Sequence, residues 1–305
     1  MIKFKHKIFY LLLLISFQLF AQQDSQYTQY MYNTVNINPA YAGSRDALSI
    51  FLLHRTQWVG LDGAPVTKSV SLHTPLADSN FGIGLSFVND RIGPTTENLI
   101  SADLAYFIQI ASNYKLSVGL KGTAAIFNLD VNKLNVFDQN DPKFQNLNAD
   151  FTPNIGAGLY IFSDDTYVGL SVPFFFETKH YNDNDVAISR EKMHFYLIAG
   201  HVFELSPSIK FKPAFLTKIV EGAPFQLDVT ANFLINEKFT IGGAYRLDSA
   251  VSGLVGFQIS ESMFIGYGYD METTRLRRFN SGSHEVFVRF ELFTKHNKIV
   301  SPRFF

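Results

Sequence analysis

The chain of 305 residues contains no cysteine and a single tryptophan, Trp58. The absence of cysteine excludes disulfides, thiolate zinc sites, iron–sulfur ligation and cysteine catalysis, and it also excludes a lipid anchor on an N-terminal cysteine. Neither sign of charge is in excess, because 26 Lys and Arg residues stand against 27 Asp and Glu residues. The composition therefore gives no indication of a nucleic-acid partner.

The sequence also lacks an apolar run of spanning-helix length. The run from Ile8 to Phe20 has about 13 residues, whereas a spanning helix needs roughly 20. Basic residues at positions 3–7 precede this run and Ala21 follows it, which is the pattern of a secretory signal peptide. We therefore expect residues 1–21 to be a signal peptide and the chain to be exported, with a retained anchor as the alternative.

Aromatic residues are abundant, since 31 Phe and 14 Tyr bring the aromatic share to 15%. Beyond the signal, apolar residues alternate with small or polar ones, which is the period of a β-strand. Phe81, Ile83, Leu85 and Phe87, for example, share one face. The fourteen segments with this pattern are 47–56, 66–74, 81–87, 98–110, 115–128, 154–162, 166–173, 193–204, 209–219, 225–235, 239–247, 251–259, 263–270 and 284–293.

An apolar face on every strand can turn inward in a soluble sandwich or outward toward lipid in a membrane barrel. Most segments reach the 9 to 11 residues of a tilted membrane-spanning strand. The opposite face carries charged, Gly, Ser and Thr residues, which suits a wet lumen. Unpaired backbone groups are not tolerated in lipid, so the sheet must close. The sequence therefore predicts an all-β fold, a transmembrane antiparallel β-barrel of about 14 strands in the outer membrane.

Connector lengths alternate as expected for such a barrel, which has short periplasmic turns and longer outer loops. An even strand count places both termini in the periplasm, so the protein is predicted to be a multi-pass outer-membrane protein. The short connectors are 111–114, 163–165, 205–208, 236–238 and 260–262, and the long ones are 89–97, 129–153, 174–192 and 271–283.

Two stretches fall outside the predicted wall. Residues 22–44 are rich in Gln, Tyr and Asn and have no alternation long enough to span, so they form either a periplasmic extension or a plug in the lumen. Residues 45–294 form the barrel, and residues 295–305 form a C-terminal tail. Glycine pairs such as those in 82–84 are not followed by a helix and do not fit a phosphate loop. On the lumen face they leave space for a plug or a bound segment.

The order of short motifs along the mature chain resembles the PorP/SprF family of outer-membrane proteins of the Bacteroidetes type IX secretion and gliding system. The motifs that carry this resemblance are Gln29-Tyr30-Met31-Tyr32-Asn33, Asn38-Pro39-Ala40-Tyr41-Ala42-Gly43, Gln57-Trp58-Val59-Gly60, Asp62-Gly63-Ala64-Pro65, His73-Thr74-Pro75-Leu76, Asn89-Asp90-Arg91-Ile92-Gly93-Pro94, Gly169-Leu170-Ser171-Val172-Pro173, Gly222-Ala223-Pro224, Leu254-Val255-Gly256-Phe257-Gln258, Gly266-Tyr267-Gly268-Tyr269-Asp270, Ser283-His284-Glu285 and Ser301-Pro302-Arg303-Phe304-Phe305.

The resemblance implies a non-enzymatic role in receiving, exporting or anchoring a large cell-surface adhesin through the adhesin's C-terminal targeting domain. An alternative within the family is a structural component that contacts periplasmic secretion-machine or peptidoglycan-binding proteins. A porin-like channel would use the same wall, and an outer-membrane hydrolase is a further class. The hydrolase is disfavoured because no histidine has a nucleophile motif beside it. Outer-membrane lipid is the remaining partner, and no cofactor is expected.

The candidate partner-binding residues lie in two places, the segment around Asn38 and the first outer loop around Trp58. A structural role is the alternative for both, since Trp58 fits an interfacial aromatic belt. Acidic loop residues near positions 138–141 and 183–185 fit either calcium or ordinary turns, and no metal site is predicted. The partner candidates are Tyr30, Asn38, Pro39, Tyr41, Gly43, Trp58, Gly60, Asp62, Gly63 and Pro65.

Overall fold

The computed structural model describes residues 28–134, 146–177, 179–181, 187–190 and 192–292. The predicted signal peptide at 1–21 and the predicted tail at 295–305 lie outside these residues.

The wall consists of fourteen antiparallel strands that close into a barrel, which confirms the predicted fold class. The strands are β1 (Leu48–Thr56), β2 (Val66–Pro75), β3 (Phe81–Ile92), β4 (Thr95–Ala111), β5 (Tyr114–Leu129), β6 (Leu147–Phe162), β7 (Thr166–Val172), β8 (His194–His201, continued by Phe203–Ser206), β9 (Ile209–Val220), β10 (Gln226–Ile235), β11 (Phe239–Arg246), β12 (Ala250–Ser260), β13 (Met263–Glu272) and β14 (Ser283–Leu292).

Closure comes from the pairing of the first and last strands, in which Leu48 lies opposite Leu292 and Thr56 lies opposite His284. On the opposite side of the barrel, β8 pairs with both β7 and β9. Each of the fourteen wall strands therefore has a paired neighbour on both sides. A closed sheet pairs the backbone groups that lipid cannot satisfy.

The two faces of the wall differ as the alternation predicts. Leu85 and Leu120 point outward and expose 53% and 61% of their surface, as expected for side chains that contact lipid. Asp103 and Lys121 point inward, are buried, and form an ion pair at 2.9 Å. The period of two therefore separates a lipid face from a lumen face.

The longer connectors, those after β1, β5, β7 and β13, all lie at one end of the barrel, which also carries the short connectors 93–94, 221–225 and 247–249. Two predicted loops are wrong in detail. In the first, 129–153, residues 147–153 are strand, because β6 already starts at Leu147. In the second, residues 89–97 are mostly strand, because β3 and β4 continue to a tight turn at Gly93 and Pro94. The alternation fades there because a strand beyond the bilayer meets water on both faces, so it needs no apolar side.

The helices are short and lie outside the wall strands. No helix among the described residues is both long and apolar enough to cross a bilayer. The helical turns are Tyr30–Tyr32, Thr34–Ile37, Pro39–Tyr41, Val131–Lys133 and Arg275–Arg278, and a separate two-stranded hairpin pairs Lys179–Tyr181 with Ala187–Arg190.

Candidate functional site

The described chain begins inside the barrel, in a stretch that we call the luminal segment, Thr28–Ala47. Its first residue contacts Glu285 of β14, near the end of the barrel that carries the long loops. Its last residue precedes β1, which starts at the short-turn end. The luminal segment therefore runs through the lumen from one mouth to the other.

A buried ionic cluster holds the upper end of the luminal segment. The Arg55 guanidinium lies 2.7 Å from the Asp270 carboxylate and 3.1 Å from the Glu285 carboxylate. The backbone N–H groups of Thr28 and Gln29 donate to Glu285 at 3.0 and 2.9 Å, and the Thr28 hydroxyl donates to Asp270 at 2.6 Å. Buried charges need a partner of opposite charge and hydrogen bonds, so these contacts hold the segment at this point.

The middle of the luminal segment joins opposite walls of the barrel through apolar contacts. The Tyr32 ring stacks on Phe264 with centroids 5.5 Å apart and lies 4.7 Å from the Phe287 ring. Because the cluster includes β1 and β8, which lie across the lumen from each other, the lumen is filled at this level. The cluster consists of Tyr30, Met31, Tyr32, Val35, Ile37, Ala40, Tyr41, Ala42, Phe51, Leu53, Ala105, Tyr160, Phe162, Tyr167, Tyr196, Ile198, Ala214, Leu216, Phe264 and Phe287.

The stretch from Asn38 to Ala40 packs directly on glycines of the wall. A Cβ added to Gly119 would lie 2.2 Å from the backbone nitrogen of Ala40, and one added to Gly158 would lie 2.1 Å from the Asn38 side chain. The Asn38 amide donates to the Leu159 carbonyl at 3.0 Å and accepts from the Ala40 N–H at 3.0 Å. Only glycine permits this close backbone approach, so these lumen-face glycines accommodate the segment.

The lower end of the luminal segment has polar contacts of its own. Arg45 pairs with Glu291 of β14, and the Gly43 N–H donates to the His73 ring at 3.2 Å. Gly43 has a φ of +77°, and a Cβ there would meet the backbone of Gly82 at 2.7 Å. This turn before β1 therefore requires glycine for both conformation and space.

The loop between β1 and β2, 57–65, which the sequence predicts to be the first outer loop, folds against the mouth of the barrel. The Trp58 indole N–H donates to the Glu272 carboxylate at 2.8 Å, and the Trp58 backbone N–H donates to the Ser283 hydroxyl at 3.1 Å. Glu272 is buried on the lumen side, so the indole reaches toward the mouth. Trp58 has a φ of +45°, a conformation that bulky residues rarely adopt.

The model of the type IX secretion system membrane protein family PorP/SprF matches residues 19–290. The chain belongs to the PorP/SprF family. No curated protein matches it.

Solved structures similar to this PorP/SprF member are outer-membrane channels of low sequence identity. The CymD monoaromatic hydrocarbon channel is 12% identical with a TM-score of 0.52, over 88% of this chain and 94% of that one. The P. putida toluene transporter TodX is 10% identical with a TM-score of 0.50, over 87% of this chain and 95% of that one. These likenesses show the barrel fold alone.

The residues predicted to bind a partner fall into two groups in this PorP/SprF barrel. One group lies in the luminal segment, where a partner has access only if the segment leaves the lumen. The other group lies in the first outer loop, and part of it is open to solvent. Tyr30, Asn38, Pro39, Tyr41 and Gly43 are buried in the lumen, Trp58 is half-buried, Gly60, Asp62 and Gly63 are exposed, and Pro65 is buried.

Sequence reasoning missed the wall residues that hold the luminal segment, above all Arg55, Asp270, Glu285 and Glu291. The sequence feature that could have placed them on the lumen face is the alternation of side chains along each strand. Arg55 has the same parity in β1 as Phe51, so both point to the lumen. The alternation assigns the face, but it does not say which charged residues meet across the barrel.

The described residues contain no group of three or more His, Asp or Glu side chains that could hold a metal ion. The acidic loop positions 138–141 and 183–185 lie outside the described part of the chain.

A polar cavity of about 550 Å³ opens at the short-turn end, between the turns of β4–β5 and β6–β7. Hydrogen bonds from Ser163 and Thr166 hold the pKa of Asp165 below its usual range. The carboxylates of Asp164, Asp165 and Glu204 make this rim acidic apart from Lys210.

Proposed function

We propose that this PorP/SprF member is a non-enzymatic outer-membrane receiver and anchor for a large cell-surface adhesin that carries a type IX C-terminal targeting domain. The observation that carries this proposal is the filled lumen. A barrel bridged by its own segment at the level of Tyr32 and Phe287 leaves no open path there for an exported polypeptide. The adhesin is therefore held on a surface of the barrel after its passage elsewhere.

The orientation we propose places the long loops outside the cell and the short turns in the periplasm, as in other outer-membrane barrels. The exposed part of the first outer loop, Gly60 to Gly63, is then the candidate docking surface. The hydrogen bonds of Trp58 to Glu272 and Ser283 keep this loop in place over the wall. The buried candidates Asn38 and Tyr41 support the surface indirectly, because they keep the lumen closed.

The test is a pull-down of the tagged barrel from detergent-solubilised native outer membranes, followed by mass spectrometry. We expect one very large secreted protein, retained through its C-terminal domain. An Asp62→Arg variant in the outer loop should retain less of it, whereas Glu237→Arg in a short turn should retain as much as the wild type.

Other outcomes of this pull-down would replace the proposal. Recovery mainly of periplasmic or peptidoglycan-binding proteins would favour a structural link to the secretion machine. The acidic cavity around Asp165 at the short-turn end would then be the surface to probe. A barrel that retains no partner would favour a porin-like channel.

A further inference from the structure

The loop between β13 and β14, residues 273–282, carries three arginines and no acidic residue. Arg275, Arg277 and Arg278 are all exposed in the helical turn Arg275–Arg278. None of them has a carboxylate within 4.0 Å among the described residues. The loop therefore presents three uncompensated positive charges at the mouth of the barrel.

The loop is held in one shape by bonds that leave the guanidinium groups unused. The Thr274 hydroxyl accepts from the Leu276 N–H at 3.3 Å, and the Asn280 side chain donates to the Leu276 carbonyl at 2.7 Å. The Ser281 N–H donates to the Val59 carbonyl at 2.8 Å, which ties the loop to the first outer loop. The arginines are thus displayed by an ordered scaffold and are not needed to build it.

An exposed aromatic side chain follows the arginines directly. Phe279 has 66% of its surface exposed, although it lies outside the spanning strands that face lipid tails. The loop leaves β13 after Glu272 and returns at Ser283, so it starts and ends at the rim. The ends of the spanning strands are where lipid headgroups surround an outer-membrane barrel.

We propose that Arg275, Arg277, Arg278 and Phe279 form a binding site for a phosphorylated lipid headgroup of the outer leaflet, namely lipid A. Guanidinium groups bind phosphate through a planar fork of donors. An aromatic ring beside them anchors at the headgroup level. The inference rests on the proposed orientation, in which the long loops face outward.

A protein partner with an acidic surface is the other occupant that arginines attract, but the position of the loop favours the lipid. The exposed Phe279 beside the charges fits a boundary between headgroups and tails. An acidic protein that covered the mouth would meet the exposed carboxylate of Asp62 in the first outer loop. Lipid A, in contrast, contacts the rim from outside the mouth.

The test measures binding of fluorescent lipid A to the purified full-length barrel in detergent, with no adhesin present. We expect the triple variant Arg275→Gln, Arg277→Gln, Arg278→Gln to weaken binding by at least about tenfold, since each basic residue near an anionic surface adds to the affinity. A Phe279→Ser variant should weaken it by a few-fold. The matched control removes three lysines from the short-turn end, Lys115, Lys210 and Lys238, and should bind as the wild type does.

The same assay is repeated with dephosphorylated lipid A, which lacks the phosphates, and with phosphatidylglycerol, which carries a phosphate on a different headgroup. Wild-type binding that drops both with dephosphorylated lipid A and with phosphatidylglycerol supports the proposal. Equal binding of all three lipids, or equal binding by the triple variant, would overturn it. Unchanged lipid binding together with loss of an acidic protein in the pull-down would assign the arginines to a protein partner. Because no adhesin is present in the lipid assay, its result is independent of the adhesin proposal.

Discussion

Individual charged side chains decide how the luminal segment is attached to the wall. Arg55 is almost fully buried and satisfies two carboxylates, while those carboxylates accept from the backbone and hydroxyl of the segment. Exposed ion pairs contribute little to stability, but breaking a buried one leaves a charge without compensation. The attachment therefore depends on a few residues near the mouth that carries the long loops.

Replacement of Arg55 by Ala should destabilise the barrel by about 3–5 kcal/mol, because Asp270 and Glu285 would remain buried without their cation. The measurement is the unfolding midpoint in urea, followed by the heat-dependent shift of the folded band on gels. Arg277→Ala, which removes an exposed arginine, should leave the midpoint unchanged. Equal midpoints for wild type and Arg55→Ala would refute the structural role of the cluster.

Replacement of Gly119 by Ala should displace the luminal segment, because the new Cβ would overlap the backbone of Ala40. We expect a loss of about 1–3 kcal/mol, the usual range for overpacking. Gly122 lies on the same strand but faces outward, with nothing within 4 Å of an added Cβ. Gly122→Ala is therefore the matched control, and a similar loss in both variants would argue against the close packing of the segment.

Among the larger elements, the luminal segment fills the lumen, and we therefore expect it to determine whether the barrel conducts. The apolar cluster around Tyr32 bridges opposite walls, whereas an empty barrel of fourteen strands is wide enough to pass ions. The same cluster explains why some strands are apolar on both faces. In β1, Leu52 faces lipid while Phe51 and Leu53 face the segment.

In planar bilayers we expect the wild-type barrel to show no large and stable conductance. Replacement of residues 30–43 by a Gly/Ser linker of equal length should produce a stable open state, because the linker cannot rebuild the cluster. A Gly/Ser replacement of the loop 273–282 serves as the control and should stay closed. A large steady conductance of the wild type would show that the lumen is open in the membrane.

At the scale of the whole barrel, the luminal segment starts at the opposite end from the two ends of the wall. Both ends of the wall, Leu48 and Leu292, lie at the short-turn end. Thr28, however, contacts Glu285 near the opposite mouth. If the long loops face outward, as we propose, Thr28 lies near the outer face, and this position makes the expectation of periplasmic termini open to test.

An epitope inserted directly before Thr28 should be reached by antibody on intact cells. We expect this accessibility because the hydrogen bonds of Thr28 to Asp270 and Glu285 hold it near the mouth that we propose to be outer. An epitope in the short turn 236–238 should be protected, and one in the loop 273–282 should be accessible. Protection of the Thr28 epitope with accessibility in the loop would return the N-terminus to the periplasm.

The wall of the barrel was predictable because the residue pattern of each strand depends on the environments that its two faces contact. Lipid on one side and the lumen on the other impose the period of two, so Phe81 and Leu85 were assigned outward without knowledge of their neighbours. Connector lengths then gave the two ends of the barrel. The turn at Gly93 and Pro94 was missed because strands beyond the bilayer no longer need an apolar face.

The contents of the lumen were not predictable in the same way. The sequence suggested a plug in residues 22–44 as one of two options and glycines that leave room for it, but it could not pair Thr28 with Glu285, which lies 257 positions away. Such pairings depend on which strands meet when the sheet closes and on how far their registers are shifted. Local alternation thus determines the membrane wall, and closure of the barrel decides which buried charges and glycines hold the luminal segment.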